Sequence, residues 1–574
     1  MQRRKTETGK QKKLAYYNRI LIYPFVILIF IIVTNQLKKY TTNVSHTSHY
    51  QYLSIKPISE KQEDYDVVFY NINLKVELDS SLQSGNLQGI VGITFRAKDK
   101  PVNGVRLNFS TQIKVDSVEM ASGFSHKNNI LQVKLRESVD AGETSRIIIH
   151  YHGWPKPYHE WVYGWKLVTR GDDHKTPWVS TMNPPFGAQT WLPCKDDPGD
   201  KADSVLFRIN VPESLMVVCN GSPVNTTPLG TGRKIVSWKE SFPIATYLLA
   251  VHIGMFQRFE SSYRQPNGIS VPLQIYAIDV DTGLVHLVFQ QLSAMFDFLT
   301  STLGPYPFAP EKYAMIVFPN RGGMENQTIS SVEDINASST ELYVHELIHQ
   351  WLGDCITPAG FEDSWISEGL ATYFTALYEK TAQGQTGFKY FMNRRRFVGK
   401  GQIRVQAVNI PDSVYHVGRV YNKASWFFYM LHNLVGDSLF FTGVRSCLDT
   451  YQYGNISGNV LRKVFEQISG KNLSRFFDQW LHEKYVPRLE GKLKLVKAES
   501  GHYEYEFALK QLQKSKKPYH LPLEIFCWNP GADSTITFEM TERKQKLRIR
   551  LPFDIRKINI DPDEKILMSK EIYF

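Results

Sequence analysis

The sequence predicts a multidomain α+β protein: a β-sandwich-like N-terminal domain, a mixed α/β central domain and a small C-terminal β-sandwich, preceded by one transmembrane helix. Three observations predict it. Residues 64–256 alternate apolar and polar, as in Val67-Val68-Phe69-Tyr70-Asn71-Ile72-Asn73-Leu74-Lys75-Val76, with turn residues between the runs, which is strand patterning. From 257, two strand-like runs give way to helical periodicity in 286–303, around His345 and in 425–435. After Trp480-Leu481 and Pro487 the strand period returns in Leu493-Lys494-Leu495-Val496 and in 503–509. A length of 574 residues with 42% hydrophobic content supports three folded domains, 64–256, 257–487 and 488–574.

Residues 1–19 read as a basic cytoplasmic tail and 20–37 as a transmembrane signal anchor, because 20–33 is almost wholly apolar. Seven Lys/Arg precede the apolar run and two follow it, so the positive-inside rule puts the remaining chain outside the cytoplasm, in periplasm or extracellular space. The alternative is secretion by signal cleavage, which an apolar core of only about fourteen residues favours. Against it, Val33-Thr34-Asn35-Gln36-Leu37-Lys38 has no small-x-small site. Residues 38–63 are polar and read as a tether. The net charge of +11 is concentrated here, since the first forty residues hold nine Lys/Arg against one Glu. It therefore argues for membrane orientation and is not evidence of a nucleic-acid partner, and none is expected.

Five cysteines, Cys194, Cys219, Cys355, Cys447 and Cys527, are too scattered for a disulfide framework; Cys194 and Cys219 could pair within the first domain, and Cys355 reads as buried. Asn-x-Ser/Thr sequons at Asn43, Asn108, Asn220, Asn225, Asn326, Asn336, Asn455 and Asn472 matter only in a eukaryotic secretory setting.

The chemistry is concentrated in His345-Glu346-Leu347-Ile348-His349, followed after eighteen residues by Glu368. Positions four apart share one helix face, so both imidazoles can reach a single metal ion. Leu342, Leu347, Trp351 and Leu352 supply an apolar stripe, and Gly353 and Pro358 supply stop signals. A second helix, expected over 365–380, carries Glu368 near its start. Two imidazoles and one carboxylate suit Zn2+, one per chain, and leave a fourth position for water, the catalytic arrangement. Glu346 is the candidate general base.

These residues resemble peptidase family M1, the gluzincin zinc aminopeptidases. The resemblance rests on H-E-L-I-H-Q-W-L-G-D, on W-I-S-E-G, on Gly322-Gly323-Met324-Glu325-Asn326, on Trp191-Leu192-Pro193-Cys194-Lys195-Asp196-Asp197-Pro198, and on Tyr421-Asn422-Lys423-Ala424, where Ala stands for the family's Gly. It implies a thermolysin-like catalytic domain, zinc on His345, His349 and Glu368, Glu346 as base and Tyr421 as oxyanion donor. It also implies a substrate segment, Gly322 to Asn326, in which Glu325 pairs the α-ammonium group of a peptide with a free N-terminus. A second amine contact common in the family falls on Met182-Asn183-Pro184-Pro185, where Asn183 or the nearby Gln189 could substitute.

After 487 only about 87 residues remain, too few for the helical C-terminal domain of longer relatives, so a more open cleft is expected. The run Arg394-Arg395-Arg396 reads as a solvated helix face or as an attractor for a peptide carboxylate. The leading expectation is a zinc aminopeptidase. The alternatives are a zinc hydrolase of other specificity (an endopeptidase, or an epoxide hydrolase for which Asp412 and Tyr415 sit near relevant positions) and a catalytically silent scaffold. Preferred residue and oligomeric state are not encoded in any motif.

Overall fold

The computed structural model describes residues 62–78, 84–158, 163–170, 176–408, 410–499 and 501–573. The expected tail, signal anchor and most of the tether lie outside the described residues. Among the described residues, no helix is long and apolar enough to cross a membrane.

The N-terminal part is β-rich because its apolar residues fall on alternate positions. In Tyr65–Leu78, the side chains of Val67, Tyr70, Ile72, Leu74 and Val76 are buried while their neighbours face outward. The strand sits inside a seven-stranded sheet, parallel to Ser204–Pro212 and antiparallel to Gly85–Ala97. A register shift between Val67 and Phe69 explains why Phe69 does not continue the alternation. A smaller sheet of Val102–Asn108, Ile130–Val139 and Ala121–Lys127 adds Val105, Leu107, Leu131 and Val133 to the core. Another contains Met216–Cys219, Val251–Gly254, Thr176–Met182 and Gly164–Arg170.

The central part is mixed. A five-stranded sheet has the order Gln257–Arg264, Ser270–Ala277, Tyr313–Val317, Ile329–Val332 and, at its edge, Gly323–Met324. Helix α1, Thr282–Leu303, starts where the Asp281 side chain accepts a hydrogen bond from the Leu284 N–H. It buries Val285, Val288, Leu292, Met295, Phe296 and Leu299, a helical stripe. Helix α2 is Thr340–His349 and α3 is Trp365–Arg394. The expected end of α3 near residue 380 differs from this because Gly384, at φ 68°, breaks the helix and a second helical segment continues to Arg394.

The last residues form a four-stranded sheet, Lys544–Leu551, His502–Gln511, Arg488–Glu499 and Ser569–Tyr573, and a three-stranded sheet, Ala532–Met540, Leu521–Asn529 and Lys557–Ile560. They bury Leu489, Phe507, Leu523, Ile525 and Ile560. Residues Tyr52–Phe574 make one compact unit.

Two expectations are corrected here. Cys194 and Cys219 do not pair; all five cysteines are free and buried, Cys355 as expected. The Arg394–Arg396 run is a partly solvated face, with Arg394 exposed, rather than a free attractor for a peptide carboxylate. Arg394 and Arg395 both hold Glu341 in the first turn of α2, and Arg396 donates to the Met568 carbonyl. Two sequons, Asn220 and Asn326, are fully buried, so a folded chain cannot present them, whereas Asn225, Asn336 and Asn472 are exposed.

Candidate active site

Helix α2 brings His345 and His349 one turn apart, with their Nε2 atoms 3.2 Å from each other. Glu368, in the first turn of α3, places Oε2 at 3.4 Å from His345 Nε2 and 3.3 Å from His349 Nε2. One atom from each residue lies within 4.8 Å of the others. The His349 Nδ1 faces the Leu352 carbonyl at 3.2 Å, a contact that orients the ring with Nε2 towards Glu368.

The donor set asks for a cation. Glu368 Oε2 is buried with no hydrogen-bond partner, although two imidazoles flank it. Burial alone would lower the His349 pKa, but the Glu368 carboxylate beside it pushes it up to about 10, which shows how strongly this position favours positive charge. Burial works against the Glu368 charge too, yet His349 holds its carboxyl down at about 2. Two imidazoles, one carboxylate and their separations fit one zinc ion with an open position. Zinc needs a neutral His349, and its charge also favours the ionised forms of Glu325 and Glu346, so zinc binding at pH 7 is expected to release at least one proton. Calorimetric titration in two buffers of different ionisation enthalpy checks this; a buffer-independent heat would contradict it.

Tyr421 sits in a π-helical segment, Val417–Lys423, the kind of irregular turn that re-aims a side chain. Its hydroxyl donates to Glu368 Oε1 at 2.9 Å, and its ring stacks 6.0 Å from that of His345. Burial pushes its pKa well above the usual phenol value, so the hydroxyl remains a donor. The buried Lys423 anchors this segment by donating to the Gly401 carbonyl at 2.8 Å. Ala424, which departs from the family's Gly, is accommodated by Gly369: a Cβ added there would lie 2.7 Å from that of Ala424. Gly369→Ala is therefore expected to cost about 1–3 kcal/mol by overpacking, read as a lowered midpoint of thermal unfolding.

The substrate segment divides by burial. Gly322 has φ 78°, a conformation that favours glycine. Gly323 leaves room for Glu346, whose Oε1 would be only 2.3 Å from a Cβ at that position. Met324 and Asn326 are buried, and Asn326 donates to the Leu248 carbonyl at 3.2 Å, so these two secure the segment. Glu325 is buried as well; burial raises its carboxyl to about 7, with His349 lowering it and Glu368 raising it. Glu346 is buried on α2 with its pKa raised well above the usual range, first by burial.

Three residues at or beside the centre escaped the sequence reading. Gln350, just after α2, donates to the Glu325 and Asn326 carbonyls at 3.4 and 3.3 Å and accepts from Thr328 N at 2.8 Å, tying the substrate segment to the metal helix. Tyr247 and Phe361 line a small cavity with Glu325, Ser364, Ser367 and Tyr415. The Gln was visible in H-E-L-I-H-Q, but nothing in its spacing marked a partner 24 residues upstream. Of the two candidates for a second amine contact, Asn183 is fully committed, whereas Gln189 is held through its nitrogen and keeps its Oε1 buried without a partner. Asn183 donates to the Leu249 carbonyl at 2.6 Å and accepts from Trp191 Nε1 at 3.1 Å, and the Gln189 amide donates to Asp196 at 3.1 Å. The W-L-P-C-K-D-D-P string is structural as well: Trp191, Leu192 and Cys194 are fully buried, and Lys195 pairs with buried Asp200 at 2.5 Å.

Comparison with known families agrees with this geometry. The model of the peptidase M1 N-terminal domain matches residues 39–248, and that of the peptidase family M1 domain matches 288–480. The chain belongs to peptidase family M1. Among M1 relatives, aminopeptidase A of Gloydius brevicauda is 24% identical over 443 residues, covering 71% of this chain and 44% of the relative. Glutamyl aminopeptidase of Bitis rhinoceros is 22% identical over 532 residues, covering 85% of this chain and 53% of the relative. The chain thus spans about half the length of the curated relatives it matches. Legionella pneumophila aminopeptidase A in complex with aspartic acid superposes with a TM-score of 0.75 at 15% identity, over 90% of this chain and 60% of that one. An M1 zinc metallopeptidase from Deinococcus radiodurans gives a TM-score of 0.64 at 23% identity, over 75% of this chain and 96% of that one. At these identities the two structures establish a shared M1 fold.

Proposed function

We propose that this M1 chain is a zinc-dependent aminopeptidase that hydrolyses the N-terminal bond of peptides with a free N-terminus. The observation that carries this reading is the buried Glu325 carboxyl, on a backbone that Gln350 ties to the end of α2, within electrostatic reach of His349 and Glu346. A buried carboxylate of this kind is unfavourable without a cation, and the α-ammonium group of a substrate supplies one. Zinc, when bound, polarises the scissile carbonyl and acidifies water. Glu346 takes the proton from the attacking water and delivers it to the leaving amine. Tyr421 swings its hydroxyl bond from Glu368 towards the oxygen that gains charge. Gly323–Met324 is an edge strand, which suits a substrate backbone lying extended beside it.

The test is hydrolysis of aminoacyl amides and their N-acetylated twins with and without a chelator. Cleavage confined to free amines and lost on chelation is the expected result; equal cleavage of both sets would sink the reading. The cavity beside Glu325 is walled by Tyr247, Phe361 and Tyr415 and is proposed to receive the first side chain.

We also propose that 20–37 anchors the chain with its catalytic part outside the cytoplasm, which the apolar run and its basic flank support. Extraction of the chain from membranes by alkaline carbonate would refute the anchor.

A further inference from the structure

A histidine with no exposed surface joins the N-terminal part to the segment that carries Glu325. His252, in Val251–Gly254, is 0% exposed. Its two ring nitrogens meet serines on either side: Nδ1 lies 2.9 Å from Ser180 Oγ, and Nε2 lies 3.2 Å from Ser331 Oγ. Ser180 comes from Thr176–Met182, which pairs with the histidine's own strand, whereas Ser331 belongs to Ile329–Val332 of the catalytic sheet.

The far end of the chain fixes its proton positions. Asn326 Nδ2 donates to the Leu248 carbonyl, so Oδ1 is the atom turned to Ser331, whose hydroxyl donates to it at 2.9 Å. A serine has a single hydroxyl proton, so towards His252 it can only accept. Nε2 therefore carries the ring proton, and Nδ1 accepts from Ser180. The ring is neutral, since burial pulls its pKa down to about 3. Each of these bonds is directional, so the relay has one arrangement, and it ends on the residue next to Glu325.

We propose that His252, acting through Ser331 and Asn326, is a positioning residue that holds Glu325 where it meets the substrate α-ammonium group. This rests on reading Glu325 as the amine anchor. Without the Nε2 proton, Ser331 loses the donor that fixes its orientation, Asn326 Oδ1 loses its fixed donor while Nδ2 keeps the Leu248 carbonyl, and the peptide unit carrying Glu325 is held less firmly, by Gln350 alone on that side. The hydrogen bonds and ion pairs of His345, His349 and Glu368 described above involve none of these groups, so metal binding should not change.

The experiment uses the full chain loaded with zinc and two competitive inhibitors, an amino acid hydroxamate and its desamino counterpart. Both can chelate zinc, and only the first carries an amine for Glu325. The expected result is that His252→Phe, which keeps ring volume without a donor, loses about tenfold of the preference for the amino compound while the desamino inhibition constant is unchanged. His252→Gln, which keeps a donor within reach of Ser331, should restore most of it. Full preference in folded His252→Phe would overturn the proposal, as would equal weakening of both inhibitors. If His252→Phe does not fold, Ser331→Ala is judged by the same two criteria. Absence of any amine preference in the unaltered protein would overturn the amine-anchor reading, and this inference with it.

Discussion

Replacing Glu346 by Gln is expected to leave zinc content unchanged and to lower kcat by ~10²–10⁴-fold, the usual contribution of a positioned acid–base group. Glu346 is not one of the three metal donors, and Gln preserves its volume above Gly323, where the carboxyl fills the space a Cβ would need. What Gln lacks is a site for the proton. Rates of the variant and parent on an aminoacyl amide, with metal analysis of both, decide the matter. Retention of activity within tenfold would move the base elsewhere. A matching loss of zinc would mean that Glu346 supports the metal and would leave its proton role without support.

Glu325→Gln is expected to reduce kcat/KM on free-amine substrates by ~10²–10⁴-fold, because removing one partner of a buried charge pair costs about 3–5 kcal/mol. N-acetylated compounds, which offer no ammonium group, should be affected little. The same carboxyl sets an acid limit. Its pKa is raised to about 7, principally by burial, and the charge of bound zinc can only lower it. The carboxyl proposed as the amine anchor is therefore ionised at higher pH, and its charge is lost as pH falls through a value at or below about 7. A pH profile of kcat/KM whose acid limb persists unchanged in the Gln variant would assign that limb to another group.

The reach of the sequence differed between parts of this site for a physical reason. His345 and His349 were legible because four residues on a helix have one geometry, and Glu368 because a carboxylate opens the next helix. Strand alternation around Ile72 and Leu74 was legible in the same way. Gly323 was visible as a glycine, but its reason, the Glu346 carboxyl above it, comes from a segment 23 residues away. His252 had no local signal at all, because its partners Ser180 and Ser331 meet it only through sheet register and packing. The arginines at 394 and 395 were only half legible for a related cause: their partner Glu341 lies on another helix, so a surface that is in part wet, with Arg394 exposed, also clamps α2 to α3.

The five buried thiols make the molecule its own reporter of opening. Cys194 and Cys219 lie in the N-terminal part, Cys355 and Cys447 in the central part and Cys527 in the last sheets. Burial raises the pKa of each, to about 11 for Cys355 and Cys527 and about 12 for Cys447, so thiolate is scarce in the folded state. Alkylation thus waits on local unfolding. The order in which peptides containing these residues acquire label under mild denaturation would map which region gives way first, without an introduced probe.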